Sequence, residues 1–312
     1  MLNSSIFSRK VYYNGNIMIN QIKKGRIATL LAQYRELSKG ESSAIRNIAI
    51  SEIPEMVYNS NAIENSTLTL EDTEDILLRD IVKKDHDIRE IYEAKNLADI
   101  TERLLQNQDQ ALNIELVLSL HKILLTHIHD NWAGRFRRNK EWVRVGTHIG
   151  ANSDFVPELM DELVAVYNKN NNTYFLDKIA WFHAEFETIH PFPDGNGRIG
   201  RVIINQQLMK LGYPPITIPN KGKRTDYYPA FDTYRIRGKY DEFTNLFAGL
   251  LIESLYRRIT ILSAKKVITV SEWAKAHAVA GNSAANKAKR GTIPAFRMRD
   301  KWMIAADFRE ET

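Results

Sequence analysis

The densest run of chemically competent side chains is HPFPDGNGRIGR, His190 to Arg201, which places a histidine, an aspartate, three glycines and two arginines within twelve residues. His190 precedes a proline, and that position is driven out of helical geometry. Its imidazole therefore falls at the rim of a loop, where a neutral ring can accept a proton near neutral pH. Gly195, Asn196 and Gly197 lead into the next helix. Glycines let successive N–H groups converge into an anion-binding nest, and a helix N-terminus adds its own unpaired N–H groups and positive dipole end. Asp194 supplies the hard oxygen ligand that Mg²⁺ bridging phosphates prefers. Arg198 and Arg201 share one face of the first helical turn, where each exposed cation costs about 0.3–1 kcal/mol against the dipole. A bound polyanion reverses that sign, and a triphosphate fits. Read singly, each residue also suits a Gly-rich turn with surface arginines; the conjunction is what points to phosphate chemistry.

Positioning these groups falls to helices, because helical periodicity dominates the chain. Apolar spacings of three and four predict helices over Ser42–Ile63, interrupted at Pro54, and over Ile88–Gln106 and Ile114–Ile128. VPELMDELVAVYNK and Asp177–His190 follow, then a helix opening near Asn196 and stopped by Gly212 with Pro214 and Pro215. EFTNLFAGLLIESLYRRITIL completes the helical body. Alternation and glycines predict a short hairpin from about Trp142 to Phe155. His183, on the apolar face of the helix that delivers His190, reads as a core histidine with a satisfied ring.

The 312 residues are 44% hydrophobic and 26% charged, which is globular composition and ample for a core with appendages. The absence of cysteine excludes disulfides, zinc–thiolate sites and thiol catalysis. No apolar run spans a bilayer and no apolar signal-peptide core opens the chain, so no membrane association is expected and the expected compartment is cytoplasmic. Ten Lys/Arg against five Asp/Glu lie from Lys265 onward, a surplus of five that equals the +5 of the whole chain. The basic excess thus belongs to the tail alone. There Ser271 is expected to cap SEWAKAHA and Ser283 to cap SAANKAKR, with Gly291 as a left-handed stop. IPAFRM and KWMIA read as a hairpin turning at Arg299–Asp300, which completes a winged helix-turn-helix pattern.

HPFPDGNGRIGR resembles the Fic signature, His-Pro-Phe-x-Asp/Glu-Gly-Asn-Gly-Arg-x-x-Arg, at every fixed position. Similarity covers roughly Ser42 to Leu262, including the A-x-x-H-x-x-F-x-x-I-H helix, the Val143–Gly150 hairpin and RTDYYPAF. The resemblance implies a mainly α fold, a Fic-type helical bundle with a short β-hairpin flap, and transfer of AMP from ATP to a protein Ser, Thr or Tyr hydroxyl. It implies His190 as general base, Phe192 as loop anchor and Asp194 as the Mg²⁺ ligand. Gly195, Asn196 and Gly197 would cradle phosphates, with Arg198 on them and Arg201 on the γ-phosphate. Val145, Thr147, His148 and Ile149 would form the flap that pairs with the target by strand addition. Tyr228 would lie beside the adenine; seven residues later, where many members carry Asn, Arg235 stands.

Upstream, YNSNAIENST resembles the inhibitory Ser/Thr-x-x-x-Glu-Gly/Asn motif, with Ser60 and Glu64 four apart. The resemblance implies that Glu64 pairs with Arg201 and occupies the γ-phosphate position. The expected organisation is an N-terminal helical region over 1–110 carrying the inhibitory helix at about 42–65, a catalytic core over 111–262, and a winged-helix-like module over 265–312. The tail is similar to small winged-helix modules of the excisionase type, with Asn286, Lys287, Lys289, Arg290, Arg297, Arg299 and Lys301 as DNA contacts. Partners are then ATP, protein targets at the flap, DNA at 265–312 and a second copy in a homodimer. The same site also admits AMP removal or transfer of another phosphate-linked group, and a third reading is a DNA- or partner-binding regulator.

Overall fold

The structure, a computed structural model, describes residues 19–83 and 85–310. It is mainly helical, with twelve α-helices and five short strands among the described residues, and none of those helices is long and apolar enough to cross a membrane. The chain divides into two compact units. The division falls inside helix α2 (Ser42–Ile63), between Glu52 and Ile53, and inside helix α10 (Asp241–Ser263), between Leu246 and Phe247.

The first unit contains Ile53–Gly212 and Thr217–Leu246. Its helices are α3 (Leu70–Arg79), α4 (Ile88–Gln106), α5 (Ile114–Leu125), α6 (Val156–Lys169), α7 (Phe175–Ile189), α8 (Asn196–Lys210) and α9 (Tyr228–Arg237), with the end of α2 and the start of α10. Short polar side chains start several of them. Asn113 accepts from Leu116 N at the head of α5, and Thr69 and Asp72 form a reciprocal capping box on α3. Helix α7 is buried on all faces, which a helix achieves only in the middle of a core. Phe182, Phe186, Ile199 and Ile203 fill the seam beside it, each worth about 1.5–3 kcal/mol on full burial. Strands β1 (Arg144–Val145) and β2 (His148–Ile149) pair antiparallel as a hairpin turning at Gly146.

The second unit contains Asn20–Glu52, Tyr213–Ile216 and the chain from Phe247 on, and includes helix α1 (Gln21–Leu37). Glu52 is buried and held by Arg258 and by Arg257, the latter at 3.0 Å. Two short helices, α11 (Val270–Ala276) and α12 (Gly281–Lys289), pack on a three-stranded antiparallel sheet, order β3 (Val267–Thr269), β5 (Lys301–Ala305), β4 (Phe296–Met298). Trp273, Ala284, Ala288 and Ile304 lie in its small core.

Three local expectations change. Helix α2 runs through Pro54 unbroken; the Ile50 carbonyl loses its N–H partner, but Ile50 is exposed and water can serve it. Helix α11 is capped by Thr269 through a box with Glu272, not by Ser271. Helix α12 begins at Gly281 after Ala280, with no side-chain cap, two residues before Ser283. In both cases the expected cap lies inside the first turn. The Arg299–Asp300 turn is present, with both residues at positive φ, and Gly291 sits in the left-handed position expected of it.

Candidate active site

His190 ends α7 in the left-handed region, φ 53°, a conformation that costs a non-glycine residue energy and needs outside support. The support is Arg137, 1% exposed. Its Nε donates to the His190 carbonyl at 2.8 Å, and its terminal nitrogens donate to the carbonyls of Ile189, Glu141 and Ala151. One guanidinium thus ties the histidine's backbone to both ends of the hairpin segment. Gly150 packs tightly beside it: a Cβ there would meet Arg137, His190 and the Ile189 carbonyl at 3.0–3.2 Å, so those neighbours would have to give way. The His190 Nδ1 lies 3.4 Å from Glu187 Oε2, one turn earlier on α7.

The loop between α7 and α8 is braced from within. Phe192 is fully buried and stacks on His121, ring centroids 3.7 Å apart and 8° from parallel. His121 accepts from Gly134 N–H through Nδ1, which leaves Nε2–H to donate to the Asp194 carbonyl at 3.0 Å. Burial pulls the His121 ring down to about 4, so it stays neutral and keeps both bonds. The Asn196 side chain turns inward, accepting from Phe192 N and donating to Phe192 O, both at 2.8 Å. It fastens the loop, and its contribution toward an anion is its backbone N–H at the helix start. Gly195, φ 80°, caps α8 where a Cβ would stand 2.8 Å from Leu124.

The charged groups of the loop are paired. Asp194 receives Arg89 of α4 on Oδ2 at 2.6 Å, while its Oδ1 accepts from Gly195 N and lies 3.3 Å from Arg198. Burial pushes its carboxyl up, but Arg198 and Arg89 outweigh that and hold it below its ordinary value. Arg198 also pairs with Glu93 of α4 at 2.8 Å. Arg201 donates to the Ser60 hydroxyl and carbonyl at 3.0 and 2.9 Å and to Glu64 Oε1 at 2.8 Å. Burial lowers its guanidinium, and Glu64 and Tyr227 more than compensate. Both arginines are buried, so the surface-arginine reading is overturned.

These groups line a cavity of about 690 Å³, whose wall includes Glu64, His190, Asp194, Arg198 and Arg201 together with Tyr228, Asp232 and Arg235. Val145, Gly146 and Thr147 of the hairpin form part of its wall. Val145, Thr147 and Ile149 are exposed. His148 is turned inward, with Nε2 2.9 Å from the Thr188 carbonyl; burial and then Arg235 lower its ring, so it anchors the hairpin. The Tyr228 hydroxyl donates to the Ile63 carbonyl at 2.8 Å.

This geometry has known relatives. Residues 111–208 match the Fic/DOC family. The chain carries a Fic domain. It is 31% identical over 217 residues to Protein adenylyltransferase Fic of Drosophila willistoni, covering 68% of this chain and 43% of that protein. The Drosophila virilis protein of the same name is 32% identical over 230 residues, covering 69% and 47%. The chain therefore spans less than half the length of these curated relatives. Among solved structures, a Fic domain containing signaling protein from Bacteroides thetaiotaomicron superposes with a TM-score of 0.67 at 25% identity, covering 76% of this chain and 96% of that one. Fic-1 of C. elegans superposes with a TM-score of 0.65 at 25% identity, covering 76% and 71%.

Beyond the motif, the Fic domain relies on groups that motif reading passes over. Arg137, His121 and Glu187 lie within the matched residues; Arg89 and Glu93 lie on α4, before them. Lys223 sits after them and donates to the Ala62 and Ile63 carbonyls and to Asn65 Oδ1 at 2.8–3.2 Å, closing the end of α2. The available signal was thin: a histidine on an apolar helix face, an arginine in a basic run, a lysine before RTDYYPAF. Among the described residues no group of three or more His, Asp or Glu is gathered for a metal. One carboxylate suits Mg²⁺, which takes most of its shell from water and phosphate oxygens.

In the second unit, two expected nucleic-acid contacts are already engaged. Lys287 pairs with Glu310 at 2.7 Å, and Arg297 forms a fork on Glu253. Asn286, Lys289, Arg290, Arg299 and Lys301 are exposed.

Proposed function

We propose that this protein transfers AMP from ATP to hydroxyl side chains of target proteins and that Glu64 restrains the reaction. The observation that carries the reading is the cavity where His190, Asp194, Arg198 and Arg201 converge while the Glu64 carboxylate rests on Arg201. The names of the curated relatives support adenylyl transfer. In this reading the target hydroxyl gives its proton to His190, its oxygen bonds to the α-phosphorus, and the bond to pyrophosphate breaks. The N–H groups at the start of α8 and the two arginines take the charge of the phosphates, as phosphoryl-type transfers demand. Mg²⁺ would be held by Asp194 and would neutralise the polyphosphate. Arg89 must release Asp194 Oδ2 for that to happen. The exposed edge at Val145, Thr147 and Ile149 suits pairing with an extended target segment, and Tyr228 at the cavity wall suits contact with the base. The tail, with its two helices and three strands, is read as a winged-helix-like module; with Lys287 and Arg297 engaged, its DNA contacts narrow to the exposed residues.

The test is the Glu64→Gly protein with ATP labelled on the α- or the γ-phosphate and a cell lysate as target source. α-Label on protein, absent with γ-label and absent in Glu64→Gly/His190→Ala, is the expected result. Transfer of γ-label, or α-labelling that survives loss of His190, rejects it.

A further inference from the structure

Glu187 is a carboxylate without an evident structural use. It is 6% exposed, and its Oε1 finds no hydrogen-bond donor among the described residues. That oxygen abuts Gly200 of α8, where a Cβ would stand 2.5 Å away, so a side chain at 200 would displace the carboxylate. Its Oε2 is the atom 3.4 Å from His190 Nδ1, an ion-pair distance longer than a formed hydrogen bond. A buried, incompletely bonded carboxylate costs several kcal/mol, which glutamine or methionine would avoid. The cost makes sense where a positive charge develops beside it.

The surroundings narrow that charge to His190. Facing Glu187 are His183 and His190 from its own helix, Arg201 from α8, Tyr227, Tyr228 and Arg235, and His148 of the hairpin, which also faces His190. His183, held at about 4 chiefly by burial and bonded to the Tyr227 hydroxyl at 2.8 Å, is neutral. Arg201 is engaged by Glu64 and Ser60. Burial pushes the Glu187 carboxyl up, yet His190, His183 and Arg201 together bring it below its ordinary value. Its neighbours thus favour the ionised carboxylate, and the His190 ring is the one placed against its Oε2.

We propose that Glu187 is the positioning residue of His190: it holds Nδ1–H, presents Nε2 to the target hydroxyl, and stabilises the imidazolium. The step rests on His190 being the base of the proposed transfer. The hydroxyl proton passes to Nε2 and none passes to Glu187; the oxygen–phosphorus bond forms as the bond to pyrophosphate breaks. This is the division of labour of a carboxylate behind a catalytic histidine. Glu187 and His190 stand three apart at the end of one helix, a spacing that brings side chains together, and Arg137 clamps the left-handed backbone that carries the ring.

The experiment uses the full chain carrying Glu64→Gly, with Glu187→Gln, Glu187→Asp or His190→Ala added. With Glu187→Gln, kcat is expected to fall about 10²-fold with KM for ATP within about twofold, and the acid limb of the kcat–pH profile to move to lower pH. Glu187→Asp is expected to recover part of kcat and return the limb. An unchanged kcat and limb in Glu187→Gln, with His190→Ala inactive, overturns the proposal and leaves the base role standing. Transfer that survives His190→Ala overturns both. If Glu187→Gln fails to fold, ¹⁵N shifts of the His190 ring in the Glu187-containing protein decide: an Nδ1–H tautomer supports the proposal and an Nε2–H tautomer overturns it.

Discussion

The Glu64 carboxylate rests 2.8 Å from Arg201 Nη2 and fills the space a side chain at Gly197 would need. One group thereby covers both an arginine of the site and the start of α8, where phosphates are expected to lie. Glu64→Gly is expected to tighten ATP binding about 10- to 100-fold, the equivalent of losing a charge-assisted bond worth about 1.5–3 kcal/mol. Titration calorimetry in Mg²⁺ measures it. Equal affinity in the two proteins rejects steric and electrostatic competition at Arg201.

The restraint is itself fastened by Lys223 and Tyr228, which hold the carbonyls at the end of α2. Lys223→Met is expected to raise basal AMP transfer a few-fold, less than Glu64→Gly does, because the carboxylate stays while its mooring loosens. In the double variant Lys223→Met should add nothing beyond Glu64→Gly, since groups acting through one contact are not additive. Independent, multiplying effects would assign Lys223 a separate role at the nucleotide.

The sequence made the helices and the loop legible because both are local. Apolar spacing located α4 and α6 within a few residues, stop signals located the end of α8, and HPFPDGNGRIGR carried its chemistry in consecutive positions. What escaped reading depends on distant pairing. Arg89 and Asp194 are 105 positions apart, and Arg137 and His190 are 53 apart. Neither arginine sits in a pattern that announces a partner. His148 shows the opposite case: it lies in the expected flap, yet its ring bonds backward to the Thr188 carbonyl, a choice made by packing. The cap at Ser271 failed for a smaller reason, since Thr269 offered an equivalent box two residues earlier, whereas α12 starts at Gly281 without any side-chain cap.

Acid sensitivity follows from two buried histidines. His121 and His183 are both held at about 4, chiefly by burial, against an ordinary 6.5. Between those values the unfolded chain binds protons that the native state refuses, so stability falls as pH drops from about 6.5 toward 4, by up to about 3 kcal/mol per ring. The depressed carboxylates of Asp194 and Glu187 extend the loss to pH below the ordinary carboxylate range. Urea midpoints at about pH 7.5, 5.5 and 4.5 check this, and His121→Gln, which has no ring to titrate, should flatten the upper part of the curve. A midpoint constant from pH 7.5 to 4.5 contradicts the assignment.

Arg137 gives the sharpest separation of scaffold from chemistry. Its four carbonyl acceptors include those of Ile189 and His190, and among the described residues no carboxylate is hydrogen-bonded to its guanidinium, whose affinity for its proton is lowered by burial and only partly restored by Glu141. Arg137→Met leaves those carbonyls, two buried and two partly buried, without their donor and is expected to cost about 3–5 kcal/mol of unfolding free energy. Arg137→Lys restores the charge but offers one nitrogen in place of the planar fork, so it can serve only some of the acceptors. It should recover part of the stability while leaving the left-handed His190 turn loosely held. In the Glu64→Gly background, kcat for AMP transfer is then expected to stay at least about tenfold low in Arg137→Lys, with KM for ATP unchanged, because the phosphate-facing groups of α8 do not depend on Arg137. Denaturation curves alongside initial rates check both halves. Full recovery of kcat in Arg137→Lys would mean that the charge alone, and not the fork on the His190 backbone, is what the site requires.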